Sequence, residues 1–301
     1  MKDQVIIQVI VVLCEGPHDV AFLRKILKTI GFESGDSIKI KDYPSPMSSI
    51  IPTALKQADI EELNIGQIGR GSRPTSLLVK NNVYLFLYSM GGDGKEEERR
   101  KFAQGIKNSI WQPGQIKAGR RDNVIGIIYF FDADTKGISA RLKNITLEID
   151  VALDVKGEVF ENASFFKHEN VKYGAYIFAK QDADTGKLED ILLPLMNQGN
   201  ELIFEGANHY LDQHYDESRL YPLKIELVKD QIEEIRSNKN KEKYKHDRSK
   251  SLIGIVGQLQ KSGSPNTAHI SDTDYLTLEK IRANSKCQEI TKFFQDFIDF
   301  S

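Results

Sequence analysis

The chain has 301 residues, 40% hydrophobic and 28% charged, with a formal net charge of −2. This length accommodates one large or two modest domains with a real core, and the near-neutral balance excludes a globally basic nucleic-acid binder, so any such site must be a local patch. Only Cys14 and Cys287 occur, in no redox or metal-binding spacing, which excludes a disulfide scaffold and points to a reducing, cytoplasmic compartment.

Val5–Cys14 is an almost unbroken β-branched run, as in a strand buried on both faces. Gln8 interrupts it and Glu15 follows with no small-residue cleavage pattern, so it reads as a strand and not as a signal peptide. At Gly16-Pro17 it hands over to a helix. Proline suits a first helical turn, and Val20, Phe22, Leu23, Ile26 and Leu27 recur at helical spacing. Glu15 then stands where a strand meets a helix, and in open parallel sheets ligands bind at that end. A helix N-terminus accounts for either Glu15 or Asp19 alone, at about 0.3–1 kcal/mol each. Four residues apart across the turn, the pair could also aim two carboxylates at one metal ion.

Residues 33–80 lose periodicity and form an expected insertion, with loop text at Tyr43–Pro46 and Gly66–Pro74 and one or two short helices within Ser48–Leu63. Val83–Tyr88 is a second buried-type strand, broken by Gly91-Gly92-Asp93-Gly94. Lys95–Ile110 reads as a helix, acidic at its start and basic just after, as the macrodipole prefers. A basic connector follows at 114–122, then a third strand, Val124–Phe131, which runs straight into Asp132-Ala133-Asp134-Thr135. A helix over Ile138–Leu142 and a little beyond, and short strands at Ala163–Phe166 and Gly174–Phe178, complete the series. Strand–helix units in succession predict a mainly parallel α/β sheet flanked by helices. Asp-Ala-Asp-Thr recurs at 182–185, too short a match to establish duplication, and Leu188-Glu189-Asp190 opens a short helix with two acids in its first turn. The expected division is an α/β domain over 1–198 and a helical C-terminal region over 199–301 packed on it. That region holds helices at Glu201–His214, Leu223–Arg236, Lys250–Leu259 and Thr277–Phe300, with a lysine-rich run at 236–250. No stretch reaches about 18 uninterrupted apolar residues, so no membrane span is expected.

Three acidic sites thus fall at or just past strand ends: Glu15 with Asp19, Asp132 with Asp134, and Glu189 with Asp190. Converging on one sheet edge they would repel one another unless cations intervened. Oxygen donors without His or Cys companions suit Mg²⁺ or Mn²⁺, the ions of phosphoryl transfer.

An apolar strand ending Glu15-Gly16, an acid four residues on, a glycine pair after the second strand and Asp132-x-Asp134 after the third together resemble the Toprim domain, over roughly residues 5–195. Topoisomerases, bacterial primases, RecR-type repair proteins and nucleases of the overcoming-lysogenization-defect (OLD) family share that domain. The resemblance implies a Toprim-like fold with an insertion at 33–80 and a helical C-terminal extension. It implies Glu15 as metal ligand or general acid/base, Asp132 and Asp134 as the metal-binding pair, and two metal ions. Asp19, Glu189 and Asp190 look like the additional ligands of OLD-type nucleases, and Lys250 like their catalytic lysine, with Lys243 and Lys245 as competitors. DNA is then the expected partner, DNA rather than RNA, cleaved by hydrolysis. Phosphate contacts would come from Arg99, Arg100, Lys117, Arg120, Arg121, Lys243, Lys245 and Arg248. No ATPase domain precedes the Toprim-like unit, so an ATPase would be a separate partner, and self-association is left open.

Two other readings compete. Phe130-Phe131-Asp132-Ala133-Asp134 also resembles the opening of haloacid-dehalogenase phosphatases, with Asp132 as nucleophile, although Lys136 stands where that motif has Thr or Val. A Toprim-like module that binds nucleic acid or a partner without catalysis, as RecR-type proteins do, is the other.

Overall fold

The computed structural model of the chain describes residues 6–57, 73–109, 123–153, 161–168, 171–229, 231–236 and 246–300. The apolar run near the N-terminus is strand β1, Gln8–Cys14, buried from Val9 onward. Six further strands join it in one sheet: β2 (Glu33–Ser34), β3 (Ser76–Lys80), β4 (Val83–Ser89), β5 (Val124–Asp132), β6 (Ser164–His168) and β7 (Val171–Phe178). Their spatial order is β2-β3-β4-β1-β5-β7-β6, with β1 at the centre. The middle strands β4, β1, β5 and β7 are mutually parallel, and the outer ones pair antiparallel. The sheet is therefore mainly parallel, as expected from the near-continuous apolar text of its central strands.

In chain order the parallel strands occupy positions 2-1-3-4, so the winding changes direction beside β1. The crevice at the carboxyl ends of β1 and β5 is the switch point of this sheet, where such folds bind ligands.

Helices α1 (Pro17–Lys28), α2 (Met47–Gln57), α3 (Glu96–Ser109), α4 (Ile138–Leu153) and α5 (Leu188–Asn197) link or follow these strands. Leu13, Phe86, Tyr129 and Phe131 share one core with Ala103 and Ile106 of α3 and Leu142, Ile145 and Ile149 of α4. Alternate strand residues point the other way; there Phe130 stacks on Tyr176 at 5.2 Å and on Phe294 at 5.3 Å. Gly126 admits the neighbouring Phe297 ring, which would lie 2.7 Å from a Cβ at that position. Helix α1 buries Phe22, Leu23, Ile26 and Leu27 completely, each worth roughly 1.5–3 kcal/mol.

The chain divides into two units, residues 1–195 with 276–301, and residues 196–275. The second contains α6 (Glu201–His214), an antiparallel hairpin of β8 (Leu223–Val228) and β9 (Gln231–Arg236), α7 (Arg248–Gln258) and α8 (Asn266–Asp272). Phe204, Leu211, Ile253, Val256 and Ile270 are buried in it, and the Tyr275 hydroxyl donates to Val256 O at 3.0 Å. The first unit receives α9 (Leu278–Ala283) and α10 (Ser285–Asp299). The region expected as one block over 199–301 is therefore divided at 275/276.

Other expectations need correction. The helix expected at Leu223–Arg236 is the β8–β9 hairpin. Leu223, Ile225 and Leu227 alternate with Lys224 and Glu226, a period of two that suits a strand, and Lys229 turns the chain with φ 48°. The closing helix breaks at Asn284, whose extended backbone (φ −81°, ψ 126°) and side chain cap α10 through Cys287 N–H at 3.0 Å. The expected 33–80 insertion ends in a strand, Leu77-Leu78-Val79 lying within β3 and pairing with β4, and most of the loop expected at Gly66–Pro74 lies outside the described residues. Helix α4 extends well past Leu142. Among the described residues no helix is long and apolar enough to cross a membrane.

Candidate functional site

Glu15 follows β1 directly and Asp132 ends β5, so the switch point brings together two of the expected acids. Glu15 N–H donates to Phe130 O at 3.2 Å, and Asp132 N–H donates to Glu15 Oε2 at 3.3 Å. Burial raises the Glu15 carboxyl above its ordinary range; the Asp132 N–H and Arg141 work against this, and Asp134 and Asp93 add to it. Gly92, in the loop after β4, makes room for the side chain, since a Cβ there would lie 2.2 Å from Glu15 Oε1.

The first turn of α1 contributes Asp19, 4% exposed, whose Oδ2 accepts the Gly16 N–H at 2.7 Å, as the acid of a capping box does. The first turn of α5 contributes Glu189, 3% exposed, 3.3 Å from His18 Nδ1 and 3.8 Å from Lys187 Nζ. Asp132 lies among these groups. Burial and then the Asp19 charge push its carboxyl up to about 9, against the Leu188 N–H, with Glu15 and Glu189 pushing further. Four carboxylates thus bear on one another here, with His18 and Lys187 the basic groups beside Glu189.

Asp134 is placed differently. Its backbone is left-handed (φ 49°), a conformation Asp tolerates, and its carboxylate is gripped by Arg141 of α4. Arg141 is 4% exposed; its other arm donates to Asp93 at 2.6 Å, and Lys136 donates to the second Asp93 oxygen, also at 2.6 Å. Burial opposes ionisation of Asp93, but Lys136 and Arg141 hold it below the usual carboxylate range. An open cleft of about 600 Å³ lies over this group, lined in part by Asp93, Asp134, Lys136, Lys187 and Asp190.

The two Asp-Ala-Asp-Thr loops meet. Asp134 and Gly186 exchange backbone hydrogen bonds at 2.7 and 3.0 Å. Asp132 Oδ1 accepts the Leu188 N–H at 2.8 Å, at the start of α5, and Asp184 Oδ1 accepts the Ile138 N–H at 3.2 Å, at the start of α4. Each loop caps the helix that follows the other. Asp190 also turns one oxygen inward, to the Lys187 N–H at 2.9 Å.

The structure therefore gathers Glu15, Asp19, Asp132 and Glu189, leaves Asp190 on the cleft rim, and assigns Asp134 to a cation already in the protein. Arg99, expected as a phosphate contact, is 2% exposed and bound to Glu148 at 3.0 and 2.5 Å. A basic run on an amphipathic helix places one of its members inward, and here that member met a buried acid. Arg100 is half-buried, with Nε 3.4 Å from Glu96 O. Lys250 and Arg248 belong to the second unit, where Lys250 Nζ lies 3.8 Å from Asp247 and Arg248 pairs with Asp212 at 2.7 Å. Lys117, Arg120, Arg121, Lys243 and Lys245 lie outside the described residues. Sequence reasoning passed over His18, Asp93, Lys136, Arg141 and Lys187. Asp93 could have been found, since Gly91-Gly92-Asp93 follows a strand just as Asp132 does; Arg141 is one helical cation among many until the fold is known.

Among the described residues, no group of three or more His, Cys, Asp or Glu side chains stands in metal-holding geometry. Glu15, Asp19, Asp132 and Asp190 each turn an oxygen toward a main-chain N–H instead. The donor set still suits a hard divalent cation: it is all carboxylate and it lies at the switch point.

A family model described as "Protein of unknown function (DUF3226)" matches residues 9–299, and the chain belongs to that family. No curated protein matches it. Among solved structures it is similar to the crystal structure of hypothetical protein PH0156 from Pyrococcus horikoshii OT3, at 14% identity and a TM-score of 0.49, over 97% of this chain and 96% of that one.

Proposed function

We propose that this chain hydrolyses phosphodiester bonds of nucleic acid with Mg²⁺ or Mn²⁺, in the manner of a Toprim/OLD-type nuclease. The observation that carries the reading is the crowding of Glu15, Asp19, Asp132 and Glu189 at the switch point between β1 and β5. The preference for DNA over RNA, a separate ATPase partner and self-association rest on the resemblance alone.

Glu15 and Asp132, with Asp19 and Glu189 beside them, would hold the cation, which when bound would supply polarisation of the phosphate and activation of an attacking water. Glu15 offers Oε1 to take a proton, since the Asp132 N–H engages Oε2; the burial that raises its carboxyl makes it a better base. Gly92 leaves room for that oxygen by carrying no side chain. Lys187, on the wall of the adjoining cleft, would contact phosphate oxygens as a point charge. His18 orients Glu189.

A second reading, a binding module without turnover, has one observation in its favour: Asp19, Asp132 and Asp190 all serve backbone N–H groups and have a structural reason to be acids. Nicking of supercoiled plasmid separates the two. The purified chain should nick in Mg²⁺ or Mn²⁺ and not in EDTA, and Glu15→Gln should abolish nicking. Nicking by Glu15→Gln at the wild-type rate would refute the assigned site, and no cleavage in either metal despite salt-dependent DNA binding would favour the module.

A further inference from the structure

We propose that Arg141 is a built-in cation of this site: its guanidinium takes the place of a second metal ion between Asp93 and Asp134, so that the crevice holds one divalent cation, through Glu15 and Asp132, and not two. The inference rests on the metal-dependent reading above and specifies its stoichiometry.

The charges divide into two groups. Asp93 and Asp134 face Arg141 and Lys136, two carboxylates against two cations, joined by contacts of 2.6 Å at Asp93 and a direct contact at Asp134. Glu15, Asp19, Asp132 and Glu189 form the other group, with His18 and Lys187 as the nearby basic groups, both turned to Glu189. Asp93 and Asp134 are thus already answered by cations fixed in the protein, which leaves an added ion to Glu15 and Asp132.

Arg141 is also hard to move. Its side chain is 4% exposed and its Nε already lacks a hydrogen-bond partner. Drawing Asp134 away to a metal would leave a buried guanidinium bound only by Asp93, which costs far more than an exposed pair does. It would also place a divalent charge against that guanidinium. Arg141 is accordingly a positioning residue, fixing Asp134 and the loop before α4 without touching substrate.

Mn²⁺ titration calorimetry on the full chain, freed of metal with EDTA, tests this without any activity readout. Wild type should bind one ion per chain. Asp134→Asn, at a residue 43% exposed and so tolerant of change, should still bind one ion, whereas Glu15→Gln should weaken binding by about tenfold or more. Arg141→Ala, checked for folding by circular dichroism, should bind two ions because Asp93 and Asp134 are released. Two ions in wild type, falling to one in Asp134→Asn, would overturn the inference while leaving the metal-dependent reading intact. A folded Arg141→Ala that still binds one ion would also overturn it. No binding by wild type or any variant would overturn both.

Discussion

Replacing Arg99 by methionine separates the structural account of this residue from the nucleic-acid contact suggested by Arg99-Arg100-Lys101. The Arg99 side chain donates to Glu148 at 3.0 and 2.5 Å and to the carbonyls of Gly91 and Gly92 at 2.5 and 2.7 Å. Its guanidinium lies 4.8 Å from the Phe131 ring centroid. Methionine roughly fills the stem and removes every donor. Stripping one partner from a buried pair costs about 3–5 kcal/mol, because the other charge stays buried and uncompensated, and total stability is only about 5–15 kcal/mol. With an m-value of roughly 2 kcal/mol/M, a loss of 4 kcal/mol lowers the urea midpoint by about 2 M at unchanged slope. Arg99→Met combined with Glu148→Leu should recover much of the loss, since an apolar pair of similar volume replaces a buried ion pair at little cost. Lys101→Ala, which removes only an exposed pair with Glu97, should be near neutral. The reasoning fails if Arg99→Met costs less than about 1 kcal/mol, or if its effect is weaker DNA binding with a smaller salt slope at full stability.

Gly92→Ala should cut metal-dependent nicking at least about tenfold with little change in the urea midpoint, because the new methyl would lie 2.2 Å from Glu15 Oε1 and must displace a supporting geometry of the site. Asp184→Ala should lower stability by about 0.5 kcal/mol, the low end of an N-cap loss, read from the urea midpoint, because the Ile138 N–H keeps the Asp184 carbonyl at 2.9 Å when the side-chain acceptor goes. With its carboxyl pushed up to about 9, Asp132 is already neutral in the metal-free protein at pH 7, so Asp132→Asn, which keeps an acceptor for the Leu188 N–H, should hold thermal stability while Mn²⁺ binding falls; Asp132→Ala should lose both. At Asp36, burial favours the neutral acid, but hydrogen bonds from Leu77, Ser34 and Ser76 and the Arg24 charge prevail and hold its folded value below 3.8. That stabilisation is complete above the unfolded value and is lost as pH falls through the folded one, so Asp36→Asn should lower the urea midpoint at neutral pH and flatten its decline below about pH 4.

Much of the framework was legible because the central strands are buried on both faces and so carry unbroken apolar runs, each stopped by a turn signal. Val9–Cys14, Val83–Tyr88 and Val124–Phe131 could hardly be anything else. The hairpin at Leu223–Arg236 was harder, since Leu223, Leu227, Ile232 and Ile235 also satisfy parts of a helical spacing and nothing local arbitrates between periods of 2 and 3.6. Strand β3 was hidden by its shortness; its pairing with β4 is decided by a partner nearby in space and not by its own composition. That Glu15 and Asp132 would stand together was legible because their position at strand ends is a property of single elements. Arg141 was not, because its importance lies in meeting Asp93 and Asp134 from two other loops.

On the metal-dependent reading the acids of this edge would have two duties, and the capping bonds are compatible with both. A carboxylate has two oxygens, and at Glu15, Asp19 and Asp132 at least one is bound to a main-chain N–H. Those bonds fix the side chain's direction, and the reciprocal caps of Asp132 and Asp184 lock the loops after β5 and β7 to each other. Counting acids at strand ends therefore overstates the ligands available to an ion, since some of their capacity is already committed to holding the edge in shape. It understates the rigidity of what remains. A second oxygen held in place by the first one's cap loses little freedom on meeting a cation, which is the condition for a preorganised site. Asp134 marks the limit of this economy: its carboxylate is answered by Arg141, and the positive charge that keeps the loop in place is supplied by the protein itself.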